Sequence, residues 1–143
     1  IGLLEIRAQE KNITLLFDKP IDLEELWVLA DRKRISQVIT NLVINSLKYG
    51  VSGGTTEVSI GVLSKQKILV RIIDNGRGIE EEHIPRLFER FYRVDKARNR
   101  DEGGSGLGLA IVKHLIEAHQ EKIYVQSTFG VGSEFSFSLT KTK

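Results

Sequence analysis

The sequence predicts an α/β chain in which amphipathic helices are interleaved with paired strands, and three observations carry that reading. Residues 32–49 and 109–119 repeat apolar side chains at helical spacing. Residues 55–63 alternate and 68–73 form a long, mainly apolar strand, the two flanking the turn Ser64-Lys65-Gln66-Lys67 as a hairpin does. Residues 123–127 and 134–139 do the same around Phe129-Gly130-Val131-Gly132.

The 143 residues, 41% hydrophobic and 28% charged, suit one domain large enough to bury a core. The net charge of +2, without interleaved basic and aromatic residues, points away from nucleic acid. The absence of cysteine removes disulfides, zinc–thiolate sites and thiol nucleophiles. His114 and His119 are five residues apart, the wrong spacing for two metal ligands on one helix face. No apolar run is long enough for a transmembrane helix, and no signal peptide is visible. The chain starts mid-pattern at Ile1 without Met, which reads as a fragment of something longer.

In order, Ile1–Lys11 reads as the tail of a helix. Asn12–Phe17 is a strand turned by Asp18-Lys19-Pro20, and Glu25–Ala30 is a second strand expected to pair with it. Asp31 offers an N-cap oxygen to the helix Arg32–Tyr49. There, Ile35, Val38, Ile39, Leu42, Val43 and Leu47 cover more than half the circumference, so the helix is expected to be largely buried. Gln37, Asn41, Asn45 and Lys48 form a narrow polar stripe in that surface. Either the stripe faces solvent or its amides meet a ligand, because a buried amide without a partner costs roughly 1–3 kcal/mol. In the second case Asn45 offers a carboxamide oxygen to a hard cation such as Mg²⁺, and Lys48 meets a phosphate.

After the glycine-rich loop Gly50–Gly54 come the hairpin strands, ending in Asp74-Asn75-Gly76-Arg77-Gly78-Ile79. The helix-like Glu80–Phe88 that follows argues against a hairpin turn at Asn75-Gly76. Pro85 at the twelfth position argues against a calcium loop. Two readings remain: a plain strand-to-helix loop, or a carboxylate at a strand end accepting from an exocyclic amine, with Gly76 and Gly78 admitting a flat ring. Adenine carries such an amine at that position and guanine does not.

Arg86–Arg100 holds six basic residues against two acidic ones. It is either a solvated face or, with Asp95–Gly103, a lid over a polyanion. Next, Gly103, Gly104, Gly106 and Gly108 fall within six residues and run into the helix Leu109–His119. A glycine-rich loop opening a helix presents backbone N–H groups at the positive end of the helix dipole, which suits phosphate. It is neither a P-loop, lacking Gly-Lys-Ser/Thr, nor a dinucleotide fingerprint, and a flexible loop before a core helix is the alternative.

Taken together, four separated elements resemble the catalytic ATP-binding domain of bacterial sensor histidine kinases, in the superfamily shared with DNA gyrase, the Hsp90 chaperones and MutL. Asn41-Leu-Val-Ile-Asn45 with Lys48 and Tyr49 resembles the N box, and Asp74–Gly78 the G1 box. Leu87-Phe-Glu-Arg-Phe-Tyr-Arg93 resembles the F box, in a form closest to phosphate-regulon and cell-wall-sensing kinases, and Gly104-Ser-Gly-Leu-Gly108 the G2 box. Order and spacing fit across nearly the whole chain.

The resemblance implies a two-layer α/β sandwich, with three helices covering one face of a mixed, mainly antiparallel sheet. It implies ATP and Mg²⁺ as cofactors, with Asn45 on the metal, Lys48 and Arg93 near the phosphates and Tyr49 walling the adenine pocket. Asp74 would take the adenine amine beside Gly76 and Gly78, and Gly104, Ser105, Gly106, Leu107 and Gly108 would hold phosphates. Asn41 stands where the hydrolytic relatives carry a glutamate thought to activate water. An amide orients a group but takes no proton, so transfer to a histidine is implied over hydrolysis. The implied partners are the parent's dimerisation domain, which carries the acceptor histidine, and a response regulator. The parent is expected to be a homodimer, the fragment a cytoplasmic monomer, and none of His83, His114 and His119 the acceptor. Gln120-Glu121 stands where the family commonly ends the helix with Gly-Gly, which leaves its C-cap open. A hydrolytic ATPase, a free-standing anti-sigma serine kinase and an ATP-binding scaffold are the rivals.

Overall fold

The computed structural model describes residues 3–18, 30–92 and 107–142. In chain order these form α1 (Leu3–Glu10), β1 (Thr14–Asp18), α2 (Arg32–Tyr49), β2 (Thr55–Val62) and β3 (Lys67–Asp74). A short 3-10 helix (Glu81–Arg86), α3 (Gly108–Ala118), β4 (Ile123–Thr128) and β5 (Gly132–Thr140) follow. The strands make one sheet in the order β1-β2-β3-β5-β4, with β1 and β2 parallel and every other pair antiparallel. This is the mixed, mainly antiparallel sheet that the sequence predicts.

The β2–β3 and β4–β5 hairpins form because alternating strands lie on either side of short turns. β1 differs from the expectation. Its partner among the described residues is β2, reached through α2, and the parallel sense requires such a long crossover. The predicted strand Glu25–Ala30 lies outside the described residues apart from Ala30.

Register stacks the core in rungs. Val58, Ile72, Phe135 and Val125 share one rung, and Ile60, Val70, Phe137 and Ile123 the next. Val38, Leu42 and Val43 of α2 and Val112, Leu115 and Ile116 of α3 belong to the same buried cluster as these rungs. Both helices lay their apolar stripes on that sheet face. Asp31 caps α2 as expected, its Oδ1 accepting from Lys33 N at 3.0 Å and Arg34 N at 3.2 Å.

Candidate nucleotide-binding site

One rung beyond Val58–Ile72–Phe135–Val125 the same sheet face turns polar. Pairing places Thr56, Asp74, Ser133 and Ser127 side by side across four strands. Thr56 is fully buried, and Asp74 and Ser133 are buried with it. Ser46 comes down from α2 onto this rung, 1% exposed, and donates to Asp74 Oδ2 at 3.2 Å. Its Oγ also lies 2.8 Å from Thr56 Oγ1. Asp74 Oδ1 accepts from Gly76 N at 2.9 Å, and Ser127 Oγ lies 2.8 Å from Ser133 Oγ. Burial pushes the Asp74 carboxyl above its ordinary range, and the Gly76 N–H, Ser46 hydroxyl and Ser133 N–H pull it partly back. The end of β3 thus holds a buried carboxylate with no ion-pair partner among the described residues, built to accept hydrogen bonds.

The loop after Asp74 is pinned between the end of α2 and the β4–β5 turn. Arg77 N donates to Tyr49 O at 3.2 Å, Gly130 N to Arg77 O at 2.7 Å and Ile79 N to Ser127 Oγ at 2.7 Å. Gly76 and Gly78 have a reason to be glycine beyond the admission of a ring. A Cβ at Gly76 would stand 2.4 Å from Tyr49 O, and one at Gly78, where φ is +73°, would stand 2.3 Å from Thr128 O.

On α2, Gln37 is exposed, while Asn41, Asn45 and Lys48 are half-buried. Neither asparagine amide has a hydrogen-bond partner among the described residues, which leaves both to water or to a ligand. The Asn45 carboxamide is a hard oxygen donor and fits Mg²⁺ on that ground. Tyr49 is buried with Arg77 Cζ 5.0 Å and Lys48 Nζ 5.7 Å from its ring centroid, so two cations lie against one ring.

α3 begins without a side-chain cap, in contrast to α2. Its hydrogen-bond ladder starts at Ile111 N→Leu107 O, 2.9 Å, so the N–H groups of Gly108, Leu109 and Ala110 precede it. Gly108 is exposed, and a Cβ there would meet nothing within 4 Å. Those donors suit an anion.

The model of the histidine kinase-, DNA gyrase B- and HSP90-like ATPase family matches residues 30–143. The chain belongs to this family. The sensor histidine kinase WalK of Bacillus subtilis (strain 168) is 42% identical over 133 residues, which cover 92% of this chain and 21% of WalK. The catalytic domain of histidine kinase ThkA superposes with a TM-score of 0.80 at 31% identity, covering 97% of this chain and 86% of that one. Full-length ShkA in complex with AMPPNP gives 0.83 at 29% identity, covering 99% of this chain and 28% of ShkA. ThkA in complex with the response regulator protein TrrA also matches, at 0.76 and 30% identity, covering 98% of this chain and 37% of that one. This is the ATP-binding catalytic domain type of the sensor histidine kinases, and it spans about a fifth to a third of the length of its curated relatives.

Within this histidine kinase-type domain, the structure brings Asp74, Gly76, Gly78 and Tyr49 together around the end of α2. Asn41 and Asn45 lie on one face of α2, and Leu107 and Gly108 open α3. Arg93, Gly104, Ser105 and Gly106 lie outside the described residues, as does the lid segment Asp95–Gly103. Sequence reasoning missed Ser46, Thr56, Ser127, Ser133 and Arg77. A signal for the first of these was present: Ser46 interrupts an apolar helix face. Likewise Thr56 and Ser133 continue the inward-facing alternation of strands that are otherwise apolar there.

Two histidines have structural work. His83 Nδ1 hydrogen-bonds Tyr92 Oη, and His119 donates from Nδ1 to Leu115 O at 2.7 Å while its Nε2 accepts from Asp31 N at 3.0 Å. His114 is exposed on α3. The open question at the end of α3 is answered by a Schellman closure. Glu121 N donates to Ile116 O at 3.1 Å and Gln120 N to Glu117 O at 2.9 Å, with Gln120 at φ +59° in the place of a glycine.

Proposed function

We propose that this chain binds Mg·ATP and presents the γ-phosphate to a histidine on a separate dimerisation domain, as one catalytic domain of a sensor histidine kinase. The observation that carries this reading is the buried Asp74 at the end of β3, without an ion-pair partner among the described residues and so suited to accept from the adenine amine. Asn45 would hold Mg²⁺, and bound metal would supply charge neutralisation along the phosphates. Lys48, Arg93 and the G2 residues Gly104, Ser105, Gly106, Leu107 and Gly108 would orient the phosphate chain, with the α3 N–H groups donating to it. Tyr49 would wall the base.

Phosphoryl transfer of this kind asks the protein for positioning and charge rather than covalent chemistry. Asn41 shares the Asn45 face and offers no basicity to an attacking water, which favours an imidazole acceptor over hydrolysis. His83 and His119 are engaged in the domain's own packing, which favours an acceptor elsewhere in the parent protein. We further propose that the parent is a homodimer acting on a response regulator, as the ThkA–TrrA complex suggests by analogy. No helix among the described residues is long and apolar enough to cross a membrane, in keeping with a domain that works in the cytoplasm.

Incubation of the fragment with radiolabelled Mg·ATP tests this reading. The fragment alone should remain unlabelled and hydrolyse ATP very slowly. With its dimerisation domain added, acid-labile phosphohistidine should form on that partner. Vigorous ATPase activity that is lost in Asn41→Ala would identify a hydrolase instead.

A further inference from the structure

Ser46 sits where a small apolar residue would satisfy packing, among Leu42, Val43 and Leu47 on the buried side of α2. A hydroxyl buried there is costly unless bonded. Serines inside helices commonly return their proton to the carbonyl one turn back. Ser46 instead donates to Asp74 Oδ2 at 3.2 Å and touches Thr56 Oγ1 at 2.8 Å. An ionised carboxylate has no proton to give, so the direction of the chain follows: Thr56 donates to Ser46, and Ser46 to Asp74. The other oxygen, Oδ1, is held by Gly76 N at 2.9 Å. Together with the Ser133 N–H from β5, these donors from three different elements fix the rotation of the carboxylate about its Cβ–Cγ bond and direct its remaining lone pairs.

We infer that Ser46, backed by Thr56, is a positioning residue for base recognition that turns the Asp74 carboxylate toward the exocyclic amine and so sets the preference for adenine over hypoxanthine. This rests on the reading of Asp74 as the amine acceptor. The groups that face the carboxylate are the Gly76 N–H from its own loop, Ser46 from α2 and the Ser133 N–H from β5, with Thr56 of β2 behind Ser46. The nearby cations Lys48 and Arg77 gather on the Tyr49 ring. Loss of the Ser46 donor therefore lets burial push the carboxyl higher, and a protonated carboxyl no longer offers that oxygen to an amine.

The test is calorimetric binding of ATP and inosine triphosphate to the 143-residue chain across the acid-to-neutral range, in the parent, Ser46→Ala, Thr56→Val and Asp74→Ala. Ser46→Ala should weaken ATP by about tenfold and leave inosine triphosphate within about twofold. The pH at which ATP binding fails should move upward. Thr56→Val should shift both readouts the same way by less. An unchanged ATP-to-inosine ratio and pH midpoint in Ser46→Ala would overturn the inference, as would equal loss of both nucleotides. If Asp74→Ala abolishes the preference while Ser46→Ala keeps it, only the role of Ser46 falls. If the parent itself shows no preference, the reading of Asp74 falls with it.

Discussion

Lys67 Nζ donates to Glu121 Oε1 at 2.6 Å, joining the start of β3 to the residue that closes α3. The Glu121 side chain is 3% exposed, and its carboxylate also accepts from Ser138 Oγ at 2.8 Å and Thr140 Oγ1 at 2.7 Å. Burial alone pushes the Glu121 carboxyl up. Lys67 and the hydroxyls of Thr140 and Ser138 outweigh it and hold the carboxyl below its ordinary value of 4.5. A folded-state value below the unfolded one adds stability above the ordinary glutamate range, and that stability is lost as the pH falls through the depressed value. Glu121→Gln should therefore lower stability at neutral pH by about 1–3 kcal/mol. It should also flatten the acid limb of the stability curve, measured by urea unfolding from neutral pH downward. An acid limb parallel to the parent's would refute this assignment.

Asp74 carries the opposite sign. Its folded-state value lies above the unfolded one, so the ionised form lowers stability at neutral pH and protonation in acid removes that cost. Asp74→Asn should raise the thermal midpoint at neutral pH, because an amide can still accept from Gly76 N and bond Ser46. Asp74→Ala should weaken ATP by about tenfold or more, and the parent should prefer ATP to GTP clearly. Calorimetry that finds equal ATP and GTP affinity would count against Asp74 as the base acceptor.

Two glycines should separate structure from function. Gly78→Ala forces a Cβ to 2.3 Å from Thr128 O at φ +73°, and should destabilise by about 2 kcal/mol or more. Gly108→Ala meets nothing within 4 Å and should fold as well as the parent or better. Yet Gly108→Ala should bind nucleotide more weakly if phosphate approaches that backbone. Circular dichroism melts alongside nucleotide titrations distinguish the two, and full nucleotide affinity in Gly108→Ala would remove this residue from the phosphate site.

At the end of α3, Gln120 adopts φ +59°, a region that L side chains enter at a cost. Gln120→Gly should stabilise by about 0.5–1 kcal/mol in urea unfolding without altering nucleotide affinity. A loss of stability would mean that the Gln120 side chain contributes contacts of its own.

Much of this was legible in the sequence because periodicity reports which face is buried. The bounds of α2 came out residue for residue, and both hairpins followed from alternation around short polar or glycine-rich turns. The positions of Asp74 at the end of a strand and of Asn45 on a largely buried helix were legible too. The parallel pairing of β1 with β2 was not, since it depends on a crossover that no local pattern encodes. Nor was the polar rung. Ser46, Thr56 and Ser133 each leave a faint signal in one dimension, but only cross-strand register and the approach of α2 gather them, with Ser127, on one rung beside Asp74. Gln120 was hidden for another reason: a Schellman closure announces itself through glycine, and here it forms without one.

His119 bridges Leu115 O and Asp31 N, so one imidazole pins the last turn of α3 to the first residue before α2. The residues proposed to serve the nucleotide lie toward the other ends of these helices, Asn45 to Tyr49 on α2 and Gly108 on α3. The two helices share one buried core and are tied by this imidazole at the end away from the proposed site. With 11 residues, α3 runs about 16 Å from that tie to its first turn, so a change of tilt of about 4° displaces that turn by about 1 Å. That is the scale on which a hydrogen bond is gained or lost, so on the proposed reading a substitution at His119, remote from the proposed site, would be felt in nucleotide affinity.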